Sequence, residues 1–197
     1  MSRIPEIPRE QLPDFEPMFQ QLEQGFGFVP NDYLAMAHAP AVMQIVVEWT
    51  SKLMFSEGEI EMPLRILVAY VASKNYGCMY CTSHCISLGS NAGISLEKME
   101  HIDDFETHAH FTDRERAALL VVKNAYQQPN AVRTSDFNAL REHFNNAAIV
   151  EIMGIACMMA FYTKWNDTMN TVVEELGYEK SKKISRYNAG KHTPANI

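Results

Sequence analysis

Apolar residues recur at three- and four-residue steps in seven or eight stretches of this chain, and no run alternates apolar and polar residues between hairpin turns. That pattern predicts an all-α fold, a single-domain bundle of about eight helices. Ser56-Glu57-Gly58-Glu59 and Thr112-Asp113-Arg114-Glu115 both have the form of a capping box, in which a hydroxyl and a glutamate each satisfy a free amide at a helix start. The first predicts a helix over 59–74, buried on most sides, and the second leads into a helix over 117–126; their similar look hints at a duplicated helical hairpin. After Pro40, the spacing of Val42, Ile45, Val46, Trp49 and Leu53 describes one buried helix face. A long apolar helix is expected from Asn146 to about Leu176.

A chain of 197 residues with 47% apolar residues has enough material for one core. The expected layout is an N-terminal arm and first helix over 1–30, a helical domain over 31–178 and a polar tail over 179–197. Five prolines within the first thirty residues break that arm into short pieces. A formal net charge of -7 works against phosphate backbones and anionic lipid, so neither nucleic acid nor membrane is an expected partner. No uninterrupted apolar run approaches the ~18 residues that span a bilayer, and Met1-Ser2-Arg3-Ile4-Pro5 carries no signal-peptide apolar stretch. The expected location is the cytoplasm.

Three of the four cysteines crowd into Cys78, Cys81 and Cys85, a layout unlike that of a secreted disulfide scaffold. Residues three apart on a helix face the same way, so Cys78 and Cys81 can oxidise to each other. A helix begins near Gly77 or Cys78 and is expected to close at Gly89. Its free amides and dipole would favour a thiolate in the first turn. Such a thiolate attacks peroxide or disulfide sulfur, and the second thiol resolves the product. The competing readings are buried cysteines that only pack and a zinc site on Cys78, Cys81, His84 and Cys85. Four ligands from one helix cannot surround zinc tetrahedrally, so no metal is expected. His84 offers a proton relay near neutral pH, Cys85 a further thiol on the same face, and Tyr80 a hydrogen-bond donor; each also has an ordinary packing role.

The run from Ser73 to Gly89, centred on Asn75-Tyr76-Gly77-Cys78-Met79-Tyr80-Cys81, resembles the alkylhydroperoxidase D-like branch of the carboxymuconolactone decarboxylase family. Gly27-Phe28-Val29-Pro30-Asn31, the segment from Phe111 to Ala117 and the late apolar helix resemble its longer, peroxidase-related members. The resemblance implies an all-helical homo-oligomer in which Cys81 attacks a peroxide and Cys78 resolves it, with no cofactor. It further implies a supporting glutamate and histidine. The glutamate's position holds Ile66, and the histidine's holds Cys85, with His84 one place early and about 100° around the helix. The expected catalytic set is therefore Cys78, Cys81, His84 and Cys85, with weak turnover. Tyr70, one turn after Ile66, is a candidate substitute donor. The expected partners are a small peroxide or thiol substrate and a protein or small-molecule reductant. The alternative is a redox-responsive or small-molecule-binding protein without efficient turnover. Decarboxylation of a lactone acid is a third reading, with Trp49, Phe161, Tyr162 and Trp165 as candidate pocket residues.

Overall fold

A computed structural model describing residues 1–194 contains ten α-helices with short 3-10 turns and one π-turn between them. They are α1 (Glu16–Phe26), α2 (Asn31–Met36), α3 (Pro40–Thr50), α4 (Met62–Asn75), α5 (Met79–Asn91), α6 (Leu96–Glu100), α7 (Asp113–Ala125), α8 (Thr134–His143), α9 (Asn146–Met169) and α10 (Glu175–Ser181). No strand occurs among the described residues. The helix that the sequence pattern does not announce is α10, which lies across the expected end of the long apolar helix and the start of the polar tail.

The centre of the molecule is α4, which packs against α5, α7 and α9. Every residue from Leu64 to Ser73 is buried, as its near-continuous apolar run requires. Thr112 and Glu115 form the expected capping box at α7, and Ser95 caps α6.

Ser56 and Glu59 do not cap α4. That helix starts three residues later, behind Glu61 and with Pro63 in its first turn, where a missing amide hydrogen costs nothing. The reason is a competing ionic hub. Buried Arg65 pairs with Glu151 at 2.6 Å and donates to the carbonyls of Ser56 (2.6 Å), Ile60 (3.0 Å) and Met54 (3.3 Å). Glu151 also accepts the Glu59 amide at 2.7 Å. The loop is thus held by α4 and α9 rather than by its own cap, and the hint of a duplicated hairpin loses half its support.

Helix α3 also departs from expectation. Met43, Val46, Val47 and Thr50 face the core, whereas Ile45 is 68% exposed and Val42 and Trp49 are exposed as well. The apolar arc is wider than one buried face: of the expected arc Val46 is buried and Leu53 packs against the core, while Val42, Ile45 and Trp49 lie on the outer side. Beyond Thr50 the helix continues as a π-turn, Ser51–Phe55, whose extra residue per turn rotates Met54 into the core.

The long helix α9 ends at Met169 rather than near Leu176. Asn170 takes a left-handed conformation (φ 55°), which asparagine tolerates better than most residues, and the β-branched run Thr171-Val172-Val173 follows in irregular backbone. By length and composition α9 is apolar enough to cross a membrane, but half of its most apolar stretch is buried inside the protein. After α10 the chain folds back, burying Ile184, Ala189 and His192, and the Val173 amide donates to the His192 carbonyl at 2.9 Å.

Candidate functional site

Cys78 stands at the cap position of α5, immediately after Gly77, whose φ of 78° turns the chain out of α4. The Cys81 amide donates to Cys78 Sγ at 3.4 Å, and the two sulfurs lie 2.9 Å apart, a dithiol rather than a bond of ~2.0 Å. Helix α5 runs past Gly89, which the sequence marked as its end, to Asn91; the left-handed residue is Gly93 (φ 78°). Gly89 instead lets Met99 approach, since a Cβ there would come within 3.2 Å of it.

Both sulfurs are buried, with Cys78 0% and Cys81 2% exposed. They are not equivalent. Cys81 lines a cavity of about 50 Å³ whose walls come from α1, α2, α3, α4, α5, α9 and the π-turn, and Cys78 does not. His84 and Cys85 line the same cavity, so the fold gathers Cys81, His84 and Cys85 around one space with Cys78 directly behind Cys81. Cys85 is buried against Ser73 Oγ at 3.9 Å, and burial pushes its thiol up to about 12.

The thiolate expected from the helix field is not favoured at Cys81. Burial holds this thiol well above the ordinary range, and the hydrogen bond its S–H would give to Cys78, with the charges on Cys78 and Asp32, pushes the same way. The helix amide in this turn goes to Cys78 Sγ. Cys81 therefore needs a base.

Ile66 is sealed in the core, 1% exposed, and two carboxylates arrive from elsewhere. Glu174, at the end of the irregular segment after Asn170, accepts from His84 Nε2 at 2.7 Å on one oxygen. Its other oxygen accepts from the Tyr80 hydroxyl at 2.8 Å and the Asn31 amide at 2.6 Å. Burial pulls His84 down, but the charge and hydrogen bond of Glu174, with Asp32 behind, outweigh it and leave the imidazole above its ordinary value. The protonated imidazole is thereby favoured at the cavity wall, although His84 stands one place early for the family's pattern. Tyr80 also accepts the Asp32 amide at 3.2 Å and lies 4.3 Å, ring to ring, from His84.

The second carboxylate is Asp32, in the first turn of α2. Burial pushes it up to about 6, while His84 and a 3.0 Å hydrogen bond from Asn166 Nδ2 pull it down. The same Asn166 nitrogen approaches Cys81 Sγ at 3.7 Å. Opposite them, the hydroxyls of Tyr33, Thr50 and Tyr162 bond to one another, with Tyr33 to Tyr162 at 2.6 Å. Tyr162 thus reaches the cavity, whereas Trp49, Phe161 and Trp165 do not line it. Tyr70 lines a different cavity with Lys74, Asp103 and Lys123, and does not replace the missing glutamate.

Sequence reasoning missed Asp32, Glu174 and Asn166. Asp32 directly follows the singled-out Pro30-Asn31, and the helix stop at Asn170 with its β-branched successors is the signal that would have released Glu174 from α9. Among the described residues no group of histidine, cysteine or carboxylate side chains is arranged to hold a metal ion.

No family model and no curated protein sequence matches this chain. Solved structures do. An uncharacterized peroxidase-related protein from Ralstonia eutropha JMP134, described as an alkylhydroperoxidase AhpD core, superposes with a TM-score of 0.79 at 22% identity, covering 90% of this chain and 94% of that one. The chain has the alkylhydroperoxidase D-like fold. A second uncharacterized peroxidase-related protein with this alkylhydroperoxidase D-like arrangement, from Silicibacter sp. TM1040, gives 0.75 at 18% identity, covering 87% of this chain and 88% of its own. The debrominase Bmp8, in a cysteine-to-alanine variant complexed with 2,3,4-tribromopyrrole, gives 0.86 at 25% identity over 92% of this chain and 96% of its own.

Proposed function

We propose that this chain is a dithiol oxidoreductase that reduces a small peroxide through Cys81 and Cys78. The observation that carries the reading is the 2.9 Å sulfur pair at the start of α5 with one member, Cys81, on the cavity wall. Asp32 takes the Cys81 proton, and the sulfur attacks a peroxide oxygen. The O–O bond breaks, leaving a sulfenic acid on Cys81 and an alkoxide that is protonated from His84, whose protonated form the Glu174 contact favours. Cys78 then attacks Cys81 Sγ, forming the disulfide and releasing water. A thiol reductant, small or protein-borne, returns both sulfurs to the reduced state. Cys85, high in pKa and paired with Ser73, stands outside this cycle.

Stopped-flow oxidation of the reduced protein by hydrogen peroxide or a small organic hydroperoxide tests the reading. Expected is a rate above that of free cysteine, ending in one Cys78–Cys81 disulfide by peptide mass mapping. A rate no faster than free cysteine rejects it; a reversible disulfide formed without turnover favours a redox-responsive binding protein instead.

A second reading has its own support. The likeness to the debrominase Bmp8 fits the same dithiol used for reductive dehalogenation, in which a C–Br bond gives way to C–H, bromide leaves and the two thiols become a disulfide. Bromide release from 2,3,4-tribromopyrrole by the reduced protein, without peroxide turnover, would select it.

A further inference from the structure

We infer that the cavity between α4, α7 and the Ile102–Asp104 turn binds a small, singly charged organic anion through the Tyr70 hydroxyl and the ammonium groups of Lys74 and Lys123. The site lies outside the proposed peroxide chemistry and does not rest on it, since this cavity and the one beside Cys81 share no lining residue.

The floor is apolar and buried: Val71, Ile102 and Phe105 are each 3% exposed or less. Tyr70 joins them from α4 at 2% exposed. Among the described residues its hydroxyl makes no hydrogen bond, yet, unlike the unpaired Trp165 Nε1, it is not sealed from solvent. The little surface that Tyr70 keeps therefore includes this oxygen, and the space that Tyr70 lines is this cavity. A buried phenol usually finds a hydrogen-bond partner, so an accessible one without any marks a place for an acceptor brought from outside. Burial, with Asp103 and Glu100 nearby, holds the phenol well above its ordinary range, so it remains a donor.

The rim supplies further donors. Lys74 and Lys123 are half-buried, and each makes one ion pair, Lys74 with Asp103 and Lys123 with Glu106. An ammonium has three hydrogens, so each lysine has others left for a ligand. Lys74 Nζ stands 6.0 Å from the centre of the Tyr70 ring and Lys123 Nζ 5.9 Å from that of Phe105, which places both ammonium groups over the floor. The carboxylates are already engaged. Asp103 also meets Arg186 at 3.8 Å, Asp104 meets Arg186 at 3.0 Å, and Glu100 accepts the Ser185 amide at 2.8 Å. Two lysines against one carboxylate on the wall leave a surplus of one positive charge, which a single anionic group matches. The volume is about 130 Å³, close to the ~150 Å³ that holds a benzene molecule, so the ligand has about six heavy atoms.

Isobutyrate, isobutyramide and isopropylammonium share one branched apolar body and differ in charge. Each is titrated into the reduced, isotope-labelled full-length protein, and backbone amide shifts are followed by NMR at residues 70–75 and 102–105. Isobutyrate is expected to saturate shifts there and to bind about tenfold or more tightly than isobutyramide, the factor that a charge-assisted hydrogen bond supplies, with no saturable shift from isopropylammonium. Tyr70→Phe removes one oxygen, leaves the floor in place and should weaken isobutyrate about tenfold. Lys123→Met, a change at the rim, should bring isobutyrate and isobutyramide close to equal. Absence of saturation by isobutyrate at these residues overturns the inference, as does equal affinity for isobutyrate and isobutyramide in the parent protein. So does a Tyr70→Phe protein that binds isobutyrate as tightly as the parent. No readout involves oxidation of Cys78 or Cys81, so absence of peroxide or bromide turnover leaves the titrations untouched and the two readings fail separately.

Discussion

Replacing Asp32 by asparagine should stabilise the protein while slowing the proposed reaction of Cys81 with peroxide. The carboxyl is fully buried, and its value rises from 3.8 to about 6, chiefly through loss of solvation. A shift of two units at ~1.4 kcal/mol each sets an upper bound of about 3 kcal/mol on what this group costs the folded state once ionised. The folded state binds the proton more tightly than the unfolded one. The cost is therefore absent below pH ~4, grows as pH rises between the unfolded and folded values, and levels off above about pH 7. Asparagine keeps the shape and can still accept from Asn166 Nδ2, so the variant loses the charge and carries an amide nitrogen in place of Oδ1. Urea unfolding of both proteins from pH 4 to pH 8 should yield a stability difference that starts small and widens in the variant's favour to ~2–3 kcal/mol. A difference that does not change with pH, or a parent more stable than the variant at pH 8, would refute the electrostatic reasoning. Peroxide-driven oxidation of Cys81 should slow by at least tenfold in the same variant, since its proton acceptor is gone.

Three further outcomes follow. Cys81→Ser should abolish oxidation by peroxide, whereas Cys78→Ser should still react once and stop at a sulfenic acid trapped by dimedone, because Cys81 lines the cavity and Cys78 does not. Glu174→Gln should lower the His84 pKa measured by NMR. Since the folded value lies above the unfolded one, the stabilisation from this pair is complete below about pH 6.5 and is lost as pH rises through the folded value, a dependence that the variant should lack. Gly58→Ala should destabilise by about 1–3 kcal/mol in chemical denaturation, because a Cβ there would meet the Arg65 guanidinium and come within 2.6 Å of Glu151.

The helical class and the dithiol were legible in the sequence because both are local. Caps act over three residues, as at Thr112–Glu115, and two thiols three apart at a helix start need nothing beyond that helix to bring them together. Local signals failed where a distant group competed for the same atoms. Ser56 and Glu59 have the right spacing for a cap, yet Arg65 and Glu151 claim that loop's carbonyls and the Glu59 amide. The apolar spacing of α3 located a helix but not which side of a wide apolar arc faces inward, a choice made by what packs against it.

By itself, the sequence determined an all-helical chain with paired thiols at the head of one helix, since periodicity, capping and i,i+3 geometry act over a few residues. Only the tertiary structure decided the acid–base surroundings of that pair. Glu174 lies 90 residues from the His84 it pairs with, and Asn166 134 residues from the Asp32 it holds. Separations of that length leave no periodic trace, because folding alone sets which loop end meets which helix. The same burial that joins these groups raises the Cys81 thiol and Asp32 together, making the pair depend on chemistry that no single helix carries.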